Sequence, residues 1–310
     1  MKSFIAFLMV MLVVWSCNSS SKKSNNNTIN NTNNTLNNTN NTNNTNNLNN
    51  TNNTNNTNHQ VQAELDMRCA DAERIGIIEI GSYENGPLQV FADVQNRKPL
   101  RRTEVKLSDT HCTFNEELPP GFCNNCPTDK WCTHDSECVD IPVTVPNLQL
   151  ELTDGTEIQT FEPQYGEGIY GNITLSGDTF GVRITWGSDF EVTLTPVQVP
   201  APLISIQAVL QGGHDQPEAL DLSWTISQDS VQIYTYIPIN HHAAGITNTQ
   251  CMISADEGNL HIDGAMLRPL AVVTGLEFQD VWHARFAAAY VEGGCVEFRL
   301  FRSHFPAFQK

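Results

Sequence analysis

The chain has 310 residues, with 17 Lys+Arg against 34 Asp+Glu and a formal net charge of −17. The first 60 residues hold three lysines and no acid, so the remainder carries 14 basic and 34 acidic residues, a balance of −20. Such a body repels phosphate backbones, which argues against nucleic acid as a partner. About 250 residues beyond the amino-terminal region suffice for two domains of ordinary size.

The chain opens with Lys2 followed by an apolar run from Phe4 to Trp15 and a small residue, Ser16, before Cys17. A basic start, an apolar stretch of about a dozen residues and a small residue at the exit predict a secretory signal peptide over residues 1–16. The run is shorter than the ~20 residues that a transmembrane helix needs. Val14-Trp15-Ser16-Cys17 resembles the lipobox of bacterial lipoproteins, which implies lipidation of Cys17 and a membrane partner through that anchor. Trp15 departs from the box, where a small residue is usual. Asn18 follows Cys17 in place of the aspartate that retains lipoproteins in the inner membrane, so the resemblance implies the outer membrane of a bacterial cell envelope.

Residues 17–60 are almost entirely Asn, Thr and Ser, with Ile29, Leu36 and Leu48 as apolar interruptions. A segment of this kind cannot bury enough apolar surface to offset its ordering entropy, and a disordered tether is expected. Its root-mean-square reach is about 35 Å, enough to lift a body clear of a lipid surface. Lys22 and Lys23 stand where they touch anionic headgroups.

Nine cysteines are present, and setting Cys17 aside leaves an even set in an exported chain, which favours disulfides. Cys251 and Cys295 stand apart from the rest, so a Cys251–Cys295 bridge is expected. Cys69, Cys112, Cys123, Cys126, Cys132 and Cys138 allow many pairings. Within them, Cys123-Asn-Asn-Cys126 with Cys132 and Cys138 could hold zinc as tetrathiolate or act as a redox pair. The compartment and the surrounding turn residues (Pro119-Pro120-Gly121, Pro127, Asp129) favour a stapled knob instead, with pairings such as Cys123–Cys132 and Cys126–Cys138.

Beyond the tether the pattern is period-two. Apolar runs at 75–80 and 88–94 are followed by Leu148-Gln-Leu150-Glu-Leu152, which ends at the hairpin signal Asp154-Gly155. Strands are predicted at 173–175, 182–186 and 190–194, and then at 203–210, 220–226, 231–237, 250–254, 260–262, 281–291 and 295–301. Glu292-Gly293-Gly294 turns the last two into a hairpin. Short helical turns are expected only at 66–74 and 264–270. Pro196, Pro200 and Pro202 make a stiff connection that predicts a domain boundary. The fold class is therefore all-β: two tandem immunoglobulin-like β-sandwiches over residues 61–198 and 199–310, with a disulfide-rich insert at 112–140 in the first. Trp224 does not lie between bridging cysteines, so immunoglobulin-like describes architecture, not family.

No catalytic motif stands out. His241 and His242 are adjacent, and on a strand they point to opposite faces. With His261 they are the best candidates for a copper or zinc site, against the plainer reading of polar loop residues. Ser227-Gln-Asp229-Ser230 lacks a histidine partner, and Glu116-Glu117 and Asp256-Glu257 are adjacent rather than facing acids. Asp154-Gly155-Thr156-Glu157 and Asp256-Glu257-Gly258-Asn259 lack an ordered calcium-ligand series. Gly166-Glu-Gly168-Ile-Tyr-Gly171 suits a strand bend beside Tyr165 and Tyr170 rather than a phosphate loop.

Three stretches read together: Cys112-Thr-Phe114 through Phe122-Cys123, Trp131-Cys132, Cys138-Val139 and Pro142; Tyr165-Gly-Glu-Gly168; and Leu222-Ser-Trp224 through His242-Ala-Ala-Gly245, Gln250-Cys251, Asp256-Glu-Gly258 and Ile262. Their order resembles a family of uncharacterised myxobacterial-type envelope lipoproteins with a lipobox, a low-complexity tether, a cysteine-rich insert and tandem β-sandwiches. The insert is similar to the Dickkopf amino-terminal cysteine-rich pattern. The resemblance implies no catalytic residue and no cofactor. The expected function is a non-enzymatic surface or periplasmic binding or display module for an extracellular protein or glycan. The alternatives are a metal-binding or hydrolytic envelope protein, and a structural spacer or coat lipoprotein.

Overall fold

The computed structural model describes residues 59–310, apart from 84–85, 120, 124–125, 164–167, 204, 227–230, 240–244, 273–275, 277–280, 307 and 310. The expected signal peptide, the lipidation site Cys17 and the tether, save its last two residues, lie outside the described residues, as do His241, His242, Tyr165 and Ser227 to Ser230.

The strands are β1 (His59–Gln62), β2 (Glu64–Leu65), β3 (Arg74–Tyr83), β4 (Gln89–Val94), β5 (Thr103–Ser108), β6 (Cys112–Glu117), β7 (Lys130–Cys132), β8 (Cys138–Asp140), β9 (Gln149–Thr153), β10 (Ile158–Phe161) and β11 (Ile169–Asn172). They continue as β12 (Thr179–Trp186), β13 (Phe190–Gln198), β14 (Gln207–Gln211), β15 (Ala219–Ser223), β16 (Gln232–Pro238), β17 (Asn248–Ser254), β18 (Asn259–Asp263), a helical turn α1 (Gly264–Leu267), β19 (Val281–Val291), β20 (Gly294–His304) and β21 (Phe308–Gln309). The Asp263 side chain caps α1 by accepting from the Ala265 amide at 2.6 Å. Gly293 turns the β19–β20 hairpin with φ +95°, a conformation that L side chains resist.

The fold is all-β, with two sandwich cores built on one long sheet. That sheet runs β11-β4-β3-β20-β19-β16-β17-β6-β5, with β2 also pairing to β19. A five-stranded sheet, β1-β13-β12-β9-β10, and a four-stranded sheet, β18-β15-β14-β21, complete the two sandwiches. In the first core Phe180, Val182, Ile184 and Trp186 of β12 meet Ile78, Ile80, Val90, Ala92, Phe298 and Leu300 of the long sheet. In the second, Leu220, Leu222, Leu260 and Ile262 meet Ile233, Ile237, Cys251, Ile253 and Val281. The alternation that buries these residues is the sequence's period-two pattern expressed on a pleated strand.

Residues 199–203 carry the chain from one core to the other: Val199 belongs to the first, Leu203 to the second. The division into residues 61–198 and 199–310 does not, however, separate the strands. β6, from the amino-terminal side, pairs with β17 through Cys112↔Cys251, Phe114↔Thr249 and their neighbours. β20, from the far end of the chain, runs parallel to β3 from Cys295↔Arg74 to Ser303↔Tyr83. Each sandwich thus borrows strands from the other half of the sequence.

The disulfides correct one expectation. Cys295 pairs with Cys69 and Cys112 pairs with Cys251, while Cys123–Cys132 and Cys126–Cys138 close the knob around β7 and β8. The expected Cys251–Cys295 bridge is absent because β16 and β19 lie between β17 and β20 in the sheet. Three strand spacings amount to about 14 Å, twice the Cα separation that a disulfide tolerates.

The crossover is clamped by histidines. His283 Nδ1 lies 2.7 Å from the Ala201 carbonyl, His304 Nε2 accepts the Leu203 amide at 2.9 Å, and Arg302 Nε donates to the Pro200 carbonyl at 3.3 Å. Burial, with His283 and Arg302 adding like charge, pushes His304 down to about 4. The unfolded chain therefore takes up this proton first. Stability from this group is complete above the unfolded value of about 6.5 and is lost as pH falls toward 4, by about 1–2 kcal/mol once its part exposure is discounted. The melting temperature of His304→Gln, which keeps an acceptor for Leu203, should fall less than that of the wild type between pH 7 and 4.5. Parallel curves would remove this assignment.

Candidate functional site: a cleft on the open face of the long sheet

The two packing sheets cover one face of the long sheet. The side chains on the opposite face follow from register. Tyr234, which is itself buried, and the half-buried Tyr236 of β16 lie on that face, opposite Ile233 and Ile237, and Trp282 and Met252 flank Tyr234 as its cross-strand partners on β19 and β17. Phe286 stands opposite Arg299, and Arg299 opposite Glu79. Further along the same face Phe301 meets Tyr83 edge-on at 5.4 Å, and Phe91 pairs with the exposed Tyr170. An aromatic band, in which Tyr234, Phe286 and Phe301 are buried, therefore crosses the face that neither packing sheet covers among the described residues.

Gly81 makes room for this band. A Cβ there would come within 2.3 Å of the Phe301 carbonyl and 2.8 Å of its ring. The Phe301 ring in turn stacks on Trp282, with centroids 4.3 Å apart and planes 13° apart, which fixes the indole plane. Tyr234 packs edge-on against Phe286 at 5.5 Å.

Residues 66–74 cross part of this face as a strap. The Asp66 amide donates to the Phe286 carbonyl at 2.9 Å, the Cys69 amide donates to Glu297 Oε2 at 2.9 Å, and the Cys69–Cys295 bridge pins the middle. The Arg68 guanidinium lies 4.8 Å above the Tyr234 ring and 4.7 Å from that of Phe286. Beneath the strap Glu297 is fully buried. Arg299 donates to it at 2.7 Å and to Glu79 at 3.0 Å, with Arg68 at 3.5 Å and Arg74 at 3.7 Å. Arg74 also donates to Asp71 at 2.7 Å. Burial alone would raise the Glu297 pKa, but the three guanidiniums together outweigh it and hold the carboxyl below the usual carboxylate range. The same carboxylates keep Arg299 charged despite its burial. Three cations and three carboxylates (Asp71, Glu79, Glu297) therefore balance locally in a strongly acidic chain.

A cleft of about 260 Å³ opens beside this network, lined by Asp71, Arg74, Tyr234, Tyr236, Pro238, Gln250, Trp282 and Arg299. Gln250 Nε2 donates to Asp71 Oδ2 at 3.1 Å, and Tyr234 Oη donates to Gln250 Oε1 at 3.4 Å. Burial pushes the Tyr236 phenol up to about 12, with Tyr234 and Asp71 adding to the shift, so it stays a neutral donor and acceptor at physiological pH. A second, larger groove of about 440 Å³ runs along Gln62–Leu65 and Thr195, but among the described residues no aromatic ring lines it. The first cleft combines ring faces with convergent polar groups, the arrangement that orients a small ligand.

The residues singled out in the sequence fall elsewhere. His261 lies on β18 in the four-stranded sheet and pairs with Asp221 at 2.6 Å. The sulfurs of Cys123, Cys126 and Cys138 lie within 4.8 Å of one another but are spent in disulfides. Asp154 is an Asx turn: amides of Glu157 and Thr156 and the Thr156 hydroxyl converge on Oδ1 and hold the carboxyl down to about 2. Sequence reading missed the lining of the cleft. The available signal was the second face of β16 and β19, where Tyr234, Tyr236, Trp282 and Phe286 alternate with the core residues.

No family model matches the chain, and no curated protein matches it. Among solved structures, the chain is similar to a tetra-tandem repeat in the extending region of a large adhesion protein, at 13% identity and a TM-score of 0.15, over 72% of this chain and 58% of that one. It is also similar to domains from titin, at 8% identity and a TM-score of 0.14, over 80% of this chain and 98% of that one. The chain thus spans just over half the length of the adhesion-protein structure.

Proposed function

We propose that the chain is a lipid-anchored, non-enzymatic binding module of a bacterial cell envelope, presenting the open face of its long sheet to a protein or glycan. The observation that carries this reading is the cleft beside the aromatic band, where donors, acceptors and ring faces converge on a surface that neither packing sheet covers among the described residues. Four disulfides, two joining buried cysteines and two closing the knob, suit an oxidising compartment. The lipobox-like Val14 to Cys17 supports an anchor at Cys17, and an Asn/Thr-rich spacer suits display.

Replacing Cys17 with Ala in the full chain should move the protein from the detergent-extracted membrane fraction to the soluble exported fraction of a Gram-negative host. Unchanged fractionation would remove the anchor. The released Cys17→Ala chain then serves as a probe. Retention on immobilised envelope proteins or envelope polysaccharide supports a binding module, and retention on neither removes it.

A further inference from the structure

We propose that the cleft lined by Asp71, Arg74, Tyr236, Gln250 and Trp282 holds one uncharged sugar ring of a glycan. This rests on the reading of the protein as a binding module and names the ligand class of its site.

Three observations select that chemistry. The charges of the cleft are already matched: Arg74 pairs with Asp71 and Glu297, and Arg299 with Glu297 and Glu79. An ionic ligand would gain no unbalanced partner and would have to break pairs that are costly to break. The lining instead offers a planar indole fixed by its stack on Phe301 and a half-buried tyrosine ring, which suit the C–H face of a pyranose. Around the rings stand mixed donors and acceptors: the Gln250 amide, the Asp71 carboxylate, the Arg74 guanidinium and the neutral Tyr236 hydroxyl. Sugar hydroxyls both donate and accept, so this mixture satisfies them where a purely apolar ligand would leave buried polar groups unmet. The volume, about 260 Å³, lies just under the span of pockets for drug-sized ligands and suits a single ring. A peptide adding to a sheet edge is disfavoured, because β16 and β19 are interior strands whose backbone groups are already paired.

The test titrates the full Cys17→Ala chain with methyl glycosides of glucose, galactose, mannose, N-acetylglucosamine and N-acetylgalactosamine, and with glucuronate and glucosamine as charged counterparts. Calorimetry and tryptophan emission read the binding. At least one neutral glycoside should bind and perturb the emission, and it should bind more tightly than the charged rings. Gln250→Ala should weaken that binding at least tenfold in a chain that still unfolds in one cooperative transition, at a somewhat lower temperature because Tyr234 and Asp71 lose a hydrogen-bond partner. Trp282→Phe, which keeps a ring on Phe301, should weaken it several-fold. No binding by any neutral glycoside, preference for a charged ring, or undiminished binding by folded Gln250→Ala would each overturn the proposal. Retention on envelope protein without sugar binding would overturn this inference while leaving the binding-module reading in place; retention on neither envelope fraction would remove that reading.

Discussion

Replacing Cys112 and Cys251 together with Ala is expected to lower the unfolding free energy by about 3–5 kcal/mol. The bridge spans a sequence separation of 139 and ties β6 to β17, which is where a strand pair from the amino-terminal half enters the second sandwich. In the chain-entropy account a loop of that length is worth about 5 kcal/mol. Part of this is already removed by the enclosing Cys69–Cys295 bridge, with a separation of 226, which sets the lower end of the range. Both sulfurs are fully buried beside Phe114 and Ile253, so the alanines also forfeit packing in the second core. Urea unfolding of wild type and double variant checks the loss, and a non-reducing peptide map checks its cause. A peptide linking Cys251 to Cys295, or an unshifted midpoint, would contradict the structure. The knob bridges, with separations of 9 and 12, should by contrast act locally, since no described residue of the knob enters either sandwich core.

Glu297→Gln should cost about 3–5 kcal/mol. The carboxylate is fully buried, and it is the shared partner of Arg68, Arg74 and Arg299 and the acceptor for the Cys69 amide. The amide side chain keeps an oxygen for Cys69 but leaves three guanidiniums facing one another across a buried site with only Asp71 and Glu79 to balance them. The strap at 66–74 should loosen first, because Cys69 and Arg68 both rest on Glu297. The pH dependence follows from the depressed pKa. The folded state holds Glu297 ionised to lower pH than the unfolded chain, so its contribution is complete above the unfolded value of about 4.3. It is lost as pH falls through the folded value. Wild type should therefore lose stability in two stages on acidification, through His304 between pH 6.5 and 4 and through Glu297 below that. Glu297→Gln should start lower and lack the second stage. A variant as stable as wild type at pH 7, or one with the same acid limb, would show that the network is not what holds the strap.

The local alternation of Val182-Arg-Ile184-Thr-Trp186 and Leu148-Gln-Leu150-Glu-Leu152 was enough to predict strands, an all-β class and sandwich packing, because a pleated strand buries every second residue whatever its neighbours are. Turn chemistry at Asp154-Gly155 and Glu292-Gly293-Gly294 was equally local, and so were the short bridges of the knob, whose cysteines are held close by the chain itself. The proline-rich connection, read as a domain boundary, lies where the chain passes from the first core at Val199 to the second at Leu203. Which strands pair was not legible. The parallel contact of β3 with β20 joins residues more than two hundred positions apart, and β6 on β17 joins residues well over a hundred apart. Nothing in either strand's own pattern names its partner, so the Cys251–Cys295 pairing failed and Cys69 and Cys112 gained partners from the far end of the chain. The cleft belongs to the same class of fact. Asp71 of the strap and Tyr236, Gln250, Trp282 and Arg299 of the strands are unremarkable in their separate segments and become a site only when the long sheet sets those strands side by side and the strap crosses their face. Alternation decides which residues of a strand share a face, but only tertiary pairing decides which strands share a sheet.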